Sequence, residues 1–462
     1  MLYDFLLLDR NGSKPLYQQL YEAIRRAVEQ GQLEPGERVP SIRRLSEDLH
    51  LSRTTVENAY QQLCVEGYLH NKPQSGYFIK EARRAAGERG QTPLAVPPAA
   101  QNEAPILYRF DSGYIDAANA DIKNWSRCLK DVLRQTGDLA SYGDPQGERR
   151  LRRALAQYSH GARGVAAPED AIVIGAGIQP LLYLLCSLMP QRKQIALEEP
   201  GFLQAQQVFA DCGVQTPVLP ADQDGVDPAA LESCGAKVLF VSPSNRQKNG
   251  AAIPVSRRVQ LLHWAERCGG LIIEDDYNGE LRYRARPIPA MQGMQAHNSV
   301  VYLGSFSKLL LPSVRMAYMI LPEQLLQTYR GRMKGYHQTA SKIEQLALAR
   351  YVEEGHLERH LRRLRKLYAA KSSLLEELLR QAFGGDISCS LRETALILQA
   401  DFSPSLPAAK GDLPGLAARC GVRVMPGDGA RQVWLSFAGI PLEDIPKAVP
   451  LLQKAWGNNC GA

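Results

Sequence analysis

Lys308 closes the run Gly304-Ser305-Phe306-Ser307-Lys308, and Pro312 and Arg315 follow it. About thirty residues upstream stands Ile272-Ile273-Glu274-Asp275-Asp276-Tyr277, a short apolar run ending in acids. A lysine amine can condense with an aldehyde, a carboxylate can keep a pyridine nitrogen protonated, and hydroxyls with a guanidinium can hold a phosphate. These are the requirements of pyridoxal 5'-phosphate (PLP). In that reading Lys308 forms the Schiff base, Asp275 faces the ring nitrogen and Tyr277 bonds the phenolic oxygen. Ser305, Ser307 and Arg315 take the phosphate.

Two further stretches suit the same ligand. Gly175-Ala176-Gly177-Ile178-Gln179 follows an apolar run and opens a helix. Its glycines let the backbone approach an anion, and Gly177, Ile178 and Gln179 stand where helix N–H groups are free. Glu198-Glu199-Pro200-Gly201-Phe202 offers Phe202 as a ring to stack on the cofactor. Each piece alone is weak, since strand-to-helix turns often contain glycine and a lone lysine is usually a surface residue. The conjunction carries the reading, because each piece follows a strand-like run.

Those runs define the elements. Ile172–Ile174, Gln194–Leu197, Val238–Val241, Leu271–Ile273 and Val300–Leu303 are short and rich in β-branched residues. Helical patterns such as Gln179–Leu188 and Arg257–Arg267 lie between several of them. The alternation predicts an α/β layer fold with a mostly parallel sheet, whose ligands sit at the C-terminal strand ends.

The first eighty residues are of another kind. Tyr17, Leu20, Tyr21, Ile24 and Val28 give an amphipathic helix, broken by Leu33-Glu34-Pro35-Gly36. Ser41 caps a second helix with Ile42, Leu45 and Leu49 inward. Ser52 caps a third with Val56, Ala59, Tyr60 and Leu63 buried. A short turn between two short helices is helix-turn-helix spacing. Residues 67–79 then read as a two-stranded hairpin, a wing with Lys72 and Gly76 near its tip. Arg53, Thr54 and Thr55 occupy the first turn of the third helix, where side chains and N–H groups, with Ser52, reach phosphates or base edges. Arg43 and Arg44 stand ready to clamp adjacent backbone.

The 462 residues exceed one core, so the expected division is a DNA-binding domain at 10–80, a proline-bearing linker at 81–107 and a large domain at 108–458. The net charge of +7 permits a polyanionic partner without demanding one. No apolar run approaches a membrane span and the N-terminus carries no basic leader, which gives a cytoplasmic expectation. Nine scattered cysteines without metal-ligand spacing fit free thiols in a reducing compartment and no metal site.

Leu16-Tyr17-Gln18-Gln19-Leu20, Gly31-Gln32-Leu33-Glu34-Pro35-Gly36-Glu37, Val39-Pro40-Ser41-Ile42-Arg43, Leu51-Ser52-Arg53-Thr54-Thr55-Val56 and Glu66-Gly67-Tyr68-Leu69 resemble the GntR family of winged-helix regulators. The set around Lys308, with Tyr142-Gly143-Asp144-Pro145-Gln146-Gly147, Leu321-Pro322 and the run 360–368, resembles fold-type I aminotransferases. The combination resembles the MocR/GabR subfamily of GntR-type regulators. The resemblance implies a winged helix-turn-helix fused to an aminotransferase-like domain with a small C-terminal subdomain. It also implies a homodimer, swapped or unswapped, in which Tyr142 reaches the partner's cofactor phosphate. Gln247 falls where aminotransferases place an asparagine on the phenolic oxygen. Two departures follow. Trp434 occupies the position of the arginine that grips a substrate carboxylate, and Gln204 replaces a second such arginine found in some relatives. Losing one partner of such a pair costs about 2–5 kcal/mol of binding, unless Arg431 or Arg246 substitutes.

The expected function is transcription regulation by a double-stranded-DNA-binding protein that senses PLP or a small molecule reacting with it, on an operator of repeated half-sites. An active aminotransferase with an accessory DNA-binding domain is the alternative, and an empty dimerisation scaffold a third reading.

Overall fold

In the computed structural model the described residues are 6, 8–10, 14–80, 105–111, 113–246, 251–285, 287–294, 299–406 and 411–457. The chain divides into two compact units, residues 1–101 and 102–462.

In the first unit, α1 (Leu16–Glu29), α2 (Ile42–Asp48) and α3 (Arg53–Val65) enclose a small core. Leu20, Val56, Ala59, Tyr60 and Leu63 are wholly buried there. The two serine caps form as expected: Ser41 Oγ accepts from Arg44 N (3.2 Å) and Ser52 Oγ from Thr55 N (3.1 Å). Each bond satisfies a backbone donor that a helix start leaves open. Tyr17 departs from the expected stripe and is exposed, while Ala27 is buried instead. The wing consists of β1 (Leu69–Lys72) and β2 (Gly76–Ile79), antiparallel with Lys72 opposite Gly76. A third segment joins it. Ile79 N donates to Glu37 O (2.9 Å) and Val39 N to Tyr77 O (3.0 Å). The sequence shows only a helix breaker at Leu33-Glu34-Pro35-Gly36 just before this segment, because the pairing is formed with residues 42 and 38 positions away.

The second unit begins with β3 (Tyr108–Arg109) and continues through β4 (Ile172–Gly175), β5 (Ala196–Glu198) and β6 (Val218–Leu219). The short pair β7 (Ala221–Asp222) and β8 (Gly225–Val226) precedes β9 (Val238–Val241), β10 (Leu271–Asp275), β11 (Val300–Ser305) and β12 (Ala317–Ile320). These build a seven-stranded sheet in the order β4-β12-β11-β10-β9-β5-β6. Every adjacent pair is parallel except those of β12, which runs antiparallel to both neighbours. The central strands are buried along their whole length, so they read as unbroken apolar runs rather than as alternation. Helices Ile178–Leu188 and Val255–Cys268 match the two helical patterns of the sequence with slightly wider bounds.

A smaller antiparallel sheet, β13 (Ile387–Arg392), β14 (Ile397–Phe402), β16 (Met425–Pro426) and β17 (Gln432–Ser436), follows the long helix His356–Phe383. Between β14 and β16, β15 (Val422–Arg423) pairs in parallel with β3, drawing residues 108–109 to this subdomain.

Candidate functional site

Sheet register gathers the cofactor candidates. Asp275 lies opposite Leu303, Ser305 opposite Ala317, and Ala317 opposite Gly175. The ends of β4, β10 and β11 and the start of β12 therefore share one edge of the sheet. This is the edge where parallel α/β sheets take ligands. Lys308 stands three residues beyond β11, Arg315 two before β12 and Gly177 two after β4.

Lys308 is half-buried, and its Nζ donates to Tyr114 O at 3.0 Å. Desolvation pulls its amine down to about 8 from the ordinary lysine value, partly opposed by the charge of Asp111. Such an amine is far more often neutral near physiological pH than a surface lysine. Ser305 and Ser307 are linked by their hydroxyls at 3.3 Å, and Ser307 N donates to Ser305 Oγ.

Asp275 and Asp276, adjacent in sequence, do different work. Asp276 accepts from Arg163 at 2.6 Å (Nε) and 2.8 Å (Nη2), and from Tyr302 Oη at 2.7 Å. It is part of the scaffold. Among the described residues Asp275 receives only the Ser242 hydroxyl, at 3.4 Å, and burial pushes its carboxyl up to about 7, with the charge of Asp276 adding to the rise. Burial also raises the Tyr277 hydroxyl.

Gly177 has φ +97°, a conformation that favours glycine. A Cβ there would lie 3.0 Å from Arg315 Nη2. The guanidinium thus faces the backbone that begins helix Ile178–Leu188, which has no side-chain cap. Ala176 N donates to Thr339 Oγ1 (3.1 Å), a partner the sequence did not disclose. Phe202 stacks on Phe240, with ring centroids 6.0 Å apart and planes 12° from parallel. Phe240 is two residues from Ser242, so Phe202 flanks the Asp275 side of the edge.

Other candidates stand apart or lie beyond description. Tyr142 is 91% exposed and rests against His337, with centroids 5.7 Å apart. Gln247 lies outside the described residues. Arg246 does not serve as a substitute for a carboxylate-gripping arginine. It is buried, bound to Glu198 at 2.6 Å, and its remaining nitrogens donate to the carbonyls of Gln223 and Asp222. Trp434 lies in β17 opposite Gln399, with the Arg392 guanidinium 4.3 Å from its ring centroid.

In the first unit Arg53 and Thr54 are exposed at the start of α3, while Thr55 shares a 2.8 Å contact with the Ser52 hydroxyl. Arg43 and Arg44 are exposed and form i,i+4 pairs with Glu47 and Asp48. Surface pairs of this kind are weak and yield readily to a phosphate. Lys72 lies over the Phe78 ring at 4.9 Å. Gly76, at φ +101°, gives room to Arg38, whose Nε would be 3.3 Å from a Cβ. Arg38 is an exposed cation on the wing that sequence reasoning missed; its bridge to Phe78 is the signal, and only pairing reveals it.

Comparison with known proteins agrees with both halves. Residues 16–79 match the model for bacterial regulatory proteins of the gntR family, and residues 107–450 match aminotransferase class I and II. An uncharacterized HTH-type transcriptional regulator, YdeL, of Bacillus subtilis is 34% identical over 459 residues, covering 97% of this chain and 98% of the relative. The probable rhizopine catabolism regulatory protein MocR of Rhizobium meliloti is 33% identical, with 87% and 84% covered. The HTH-type pyridoxine biosynthesis transcriptional regulator PdxR of Corynebacterium glutamicum is 33% identical, with 78% of each covered. Among solved structures, a multiple substrate aminotransferase from Thermococcus profundus superposes with TM-score 0.64 at 23% identity, over 76% of this chain and 91% of that one, a likeness of fold. A GntR module and an aminotransferase class I and II domain in one chain define a class of transcription regulator. The chain belongs to the GntR-family transcription regulators of MocR type, with an aminotransferase class I and II domain. The GntR module implies DNA binding. Among the described residues no helix is long and apolar enough to cross a membrane.

Proposed function

We propose that this regulator binds PLP through Lys308 and uses the occupied site to sense PLP or a small molecule that reacts with it. The observation that carries the reading is the convergence, on one sheet edge, of a half-buried amine drawn down to about 8, a buried carboxyl pushed up to about 7 and an arginine facing a glycine turn.

The residues fit the cofactor. Asp275 has no cationic partner among the described residues, and a pyridinium N–H would supply one. The Gly177 turn, the free N–H groups of Ile178 and Gln179, Ser305, Ser307 and Arg315 together suit a phosphate dianion. Phe202 flanks the ring, and Tyr277 holds the phenolic oxygen. Bound there, PLP supplies an electrophilic aldehyde and an electron-withdrawing ring. Lys308 provides the neutral amine for that aldehyde. Tyr142 acts across the boundary of a homodimer.

On the DNA side, Ser52, Arg53, Thr54 and Thr55 at the start of α3 enter a groove, Arg43 and Arg44 hold backbone phosphates, and Lys72, Gly76 and Arg38 carry the wing along the duplex. Effector binding matters only if it favours one arrangement of the two winged helices over another.

The test is the absorbance spectrum of the full chain with and without PLP, joined to DNA affinity in both states. A new visible band, lost in Lys308→Ala, and a DNA affinity that differs between states are expected. A protein that shows no band with PLP would refute the proposal. Steady-state transamination with a panel of amino acids separates regulator from enzyme; turnover at ordinary transaminase rates would favour the latter.

A further inference from the structure

Two thiols stand side by side on neighbouring helices of the large unit. Cys186 lies in the last turn of helix Ile178–Leu188, and Cys212 closes helix Leu203–Asp211. The two helices pack against each other, with Leu182 and Leu185 of one and Val208 and Phe209 of the other buried in the same core. Tyr183 stands one turn before Cys186 on the same face. Its hydroxyl donates to Asp211 Oδ2 at 2.5 Å, and Gln207 Nε2 holds Asp211 Oδ1 at 2.8 Å. This bridge fastens the two helices one residue before Cys212, and the Cys186 and Cys212 thiols are in hydrogen-bonding contact.

The pair is asymmetric. Cys186 is half-buried, Cys212 is exposed, and neither is in a disulfide. Burial, with the Cys212 thiol adding to it, pushes Cys186 up to about 12. A thiol attacks as its thiolate, so Cys186 is a poor first nucleophile. Cys212 is the thiol that a solute meets. A Cβ on the next residue, Gly213, would have nothing within 4 Å, so the surface beside Cys212 is open.

We propose that Cys186 and Cys212 form a reversible oxidation site, at which a low-molecular-weight disulfide converts the two thiols into a disulfide between the helices. Cys212 loses its proton to solvent, and its thiolate attacks one sulfur of the incoming disulfide. That S–S bond breaks, the first small thiolate leaves with the electron pair, and a mixed disulfide remains on Cys212. Cys186 then loses its proton to solvent and attacks Cys212 Sγ, and the second small thiolate leaves. The two released thiolates take up two protons. Two protein thiols have been oxidised and one small disulfide reduced to two thiols. Contact between the thiols offsets the poor ionisation of Cys186 in the second step. Helix Ile178–Leu188 begins at the Gly177 turn and helix Leu203–Asp211 at Phe202, so the link joins the far ends of two helices whose near ends flank the candidate site. The oxidation site stands whether or not Lys308 holds PLP.

The experiment incubates the full-length reduced protein in glutathione buffers of rising disulfide-to-thiol ratio. Acid quenching, alkylation and peptide mass spectrometry then read each cysteine. In the wild type the peptides joined through Cys186 and Cys212 should build up with the ratio, exceed the Cys212–glutathione adduct at least about tenfold, and separate again with dithiothreitol. Cys186→Ser should leave Cys212 as the glutathione adduct, because the resolving thiol is gone. Cys212→Ser should slow loss of the Cys186 thiol at least about tenfold, because the first nucleophile is gone. An unchanged far-ultraviolet spectrum and a buried Cys128 that stays reduced show that the folded protein is what reacts. Three results overturn the proposal: the glutathione adduct accumulating on wild-type Cys212 without the cross-link, a Cys212–Cys212 link between two chains in its place, or a Cys186 oxidised as fast without Cys212 as with it.

Discussion

Lys308 can attack an aldehyde only as the neutral amine, so its environment sets the pH at which it works. Burial lowers it to about 8, with Asp111 opposing. The neutral fraction therefore grows as pH rises through 8 and falls away below it. The rate of PLP capture, followed by absorbance, is expected to rise with a midpoint near 8; a rise continuing to the ordinary lysine range would show that the amine is not buried as described. Asp275 and Asp276 offer a sharper comparison. Asp276→Asn leaves buried Arg163 without its counter-charge and should cost the large unit about 3–5 kcal/mol in urea unfolding. Asp275→Asn should leave stability unchanged or slightly higher, because a buried carboxyl raised to about 7 is already costly, while weakening PLP binding. Equal effects of the two substitutions on stability would mean that the division of roles is wrong. For DNA, Arg53→Ala should weaken binding and leave the PLP spectrum alone. A base-edge contact is worth about 1–3 kcal/mol and is sequence-selective, whereas a phosphate contact weakens all sequences alike.

Elements place these groups through their ends. The glycine turn between β4 and helix Ile178–Leu188 exists because Gly177 adopts φ +97° against Arg315. Gly177→Ala is strained in backbone and presses on the guanidinium, so PLP affinity should drop at least about tenfold, the factor of 1.4 kcal/mol. An unchanged dissociation constant, measured by titrating PLP, would remove this turn from the phosphate site. The cap of α3 is the corresponding device in the first unit. Ser52→Ala loses the bond to Thr55 N and should cost about 0.5–2 kcal/mol of that unit's stability, read by thermal unfolding. Most elements were legible in the chain: the capped helices of the winged unit, the apolar strands, and the two long helical patterns. The wing's third segment at 37–39 and the antiparallel β12 were not. The third segment pairs with residues 38 and 42 positions on, and β12 is wedged between β11 and the distant β4; pairing, unlike periodicity, leaves no local mark.

At the scale of the whole molecule, a dimer of large units is expected to present two winged helices to repeated half-sites, in direct or inverted order. Sedimentation at working concentration, with footprinting of a bound operator, tests this. A monomer that held PLP at full affinity would deny Tyr142 a role across the subunit boundary. The two units have separate cores, so each should lose its structure in its own transition when substitutions destabilise one of them.

Residue types and their order along the chain sufficed for the two-part plan and the α/β class, because these depend on local periodicity and on how strand-like and helical runs alternate. The sequence reading set Asp275 at the ring nitrogen but gave no role to its neighbour Asp276, whose structural part only the fold shows. That followed from Arg163, which is brought to Asp276 from 113 residues away. Nor could it exclude Arg246 as an anion grip, reveal Arg38 on the wing, or set Cys212 beside Cys186. Each depends on a contact between segments that only the folded chain brings together, where burial decides which charges are already neutralised and which remain to meet a ligand.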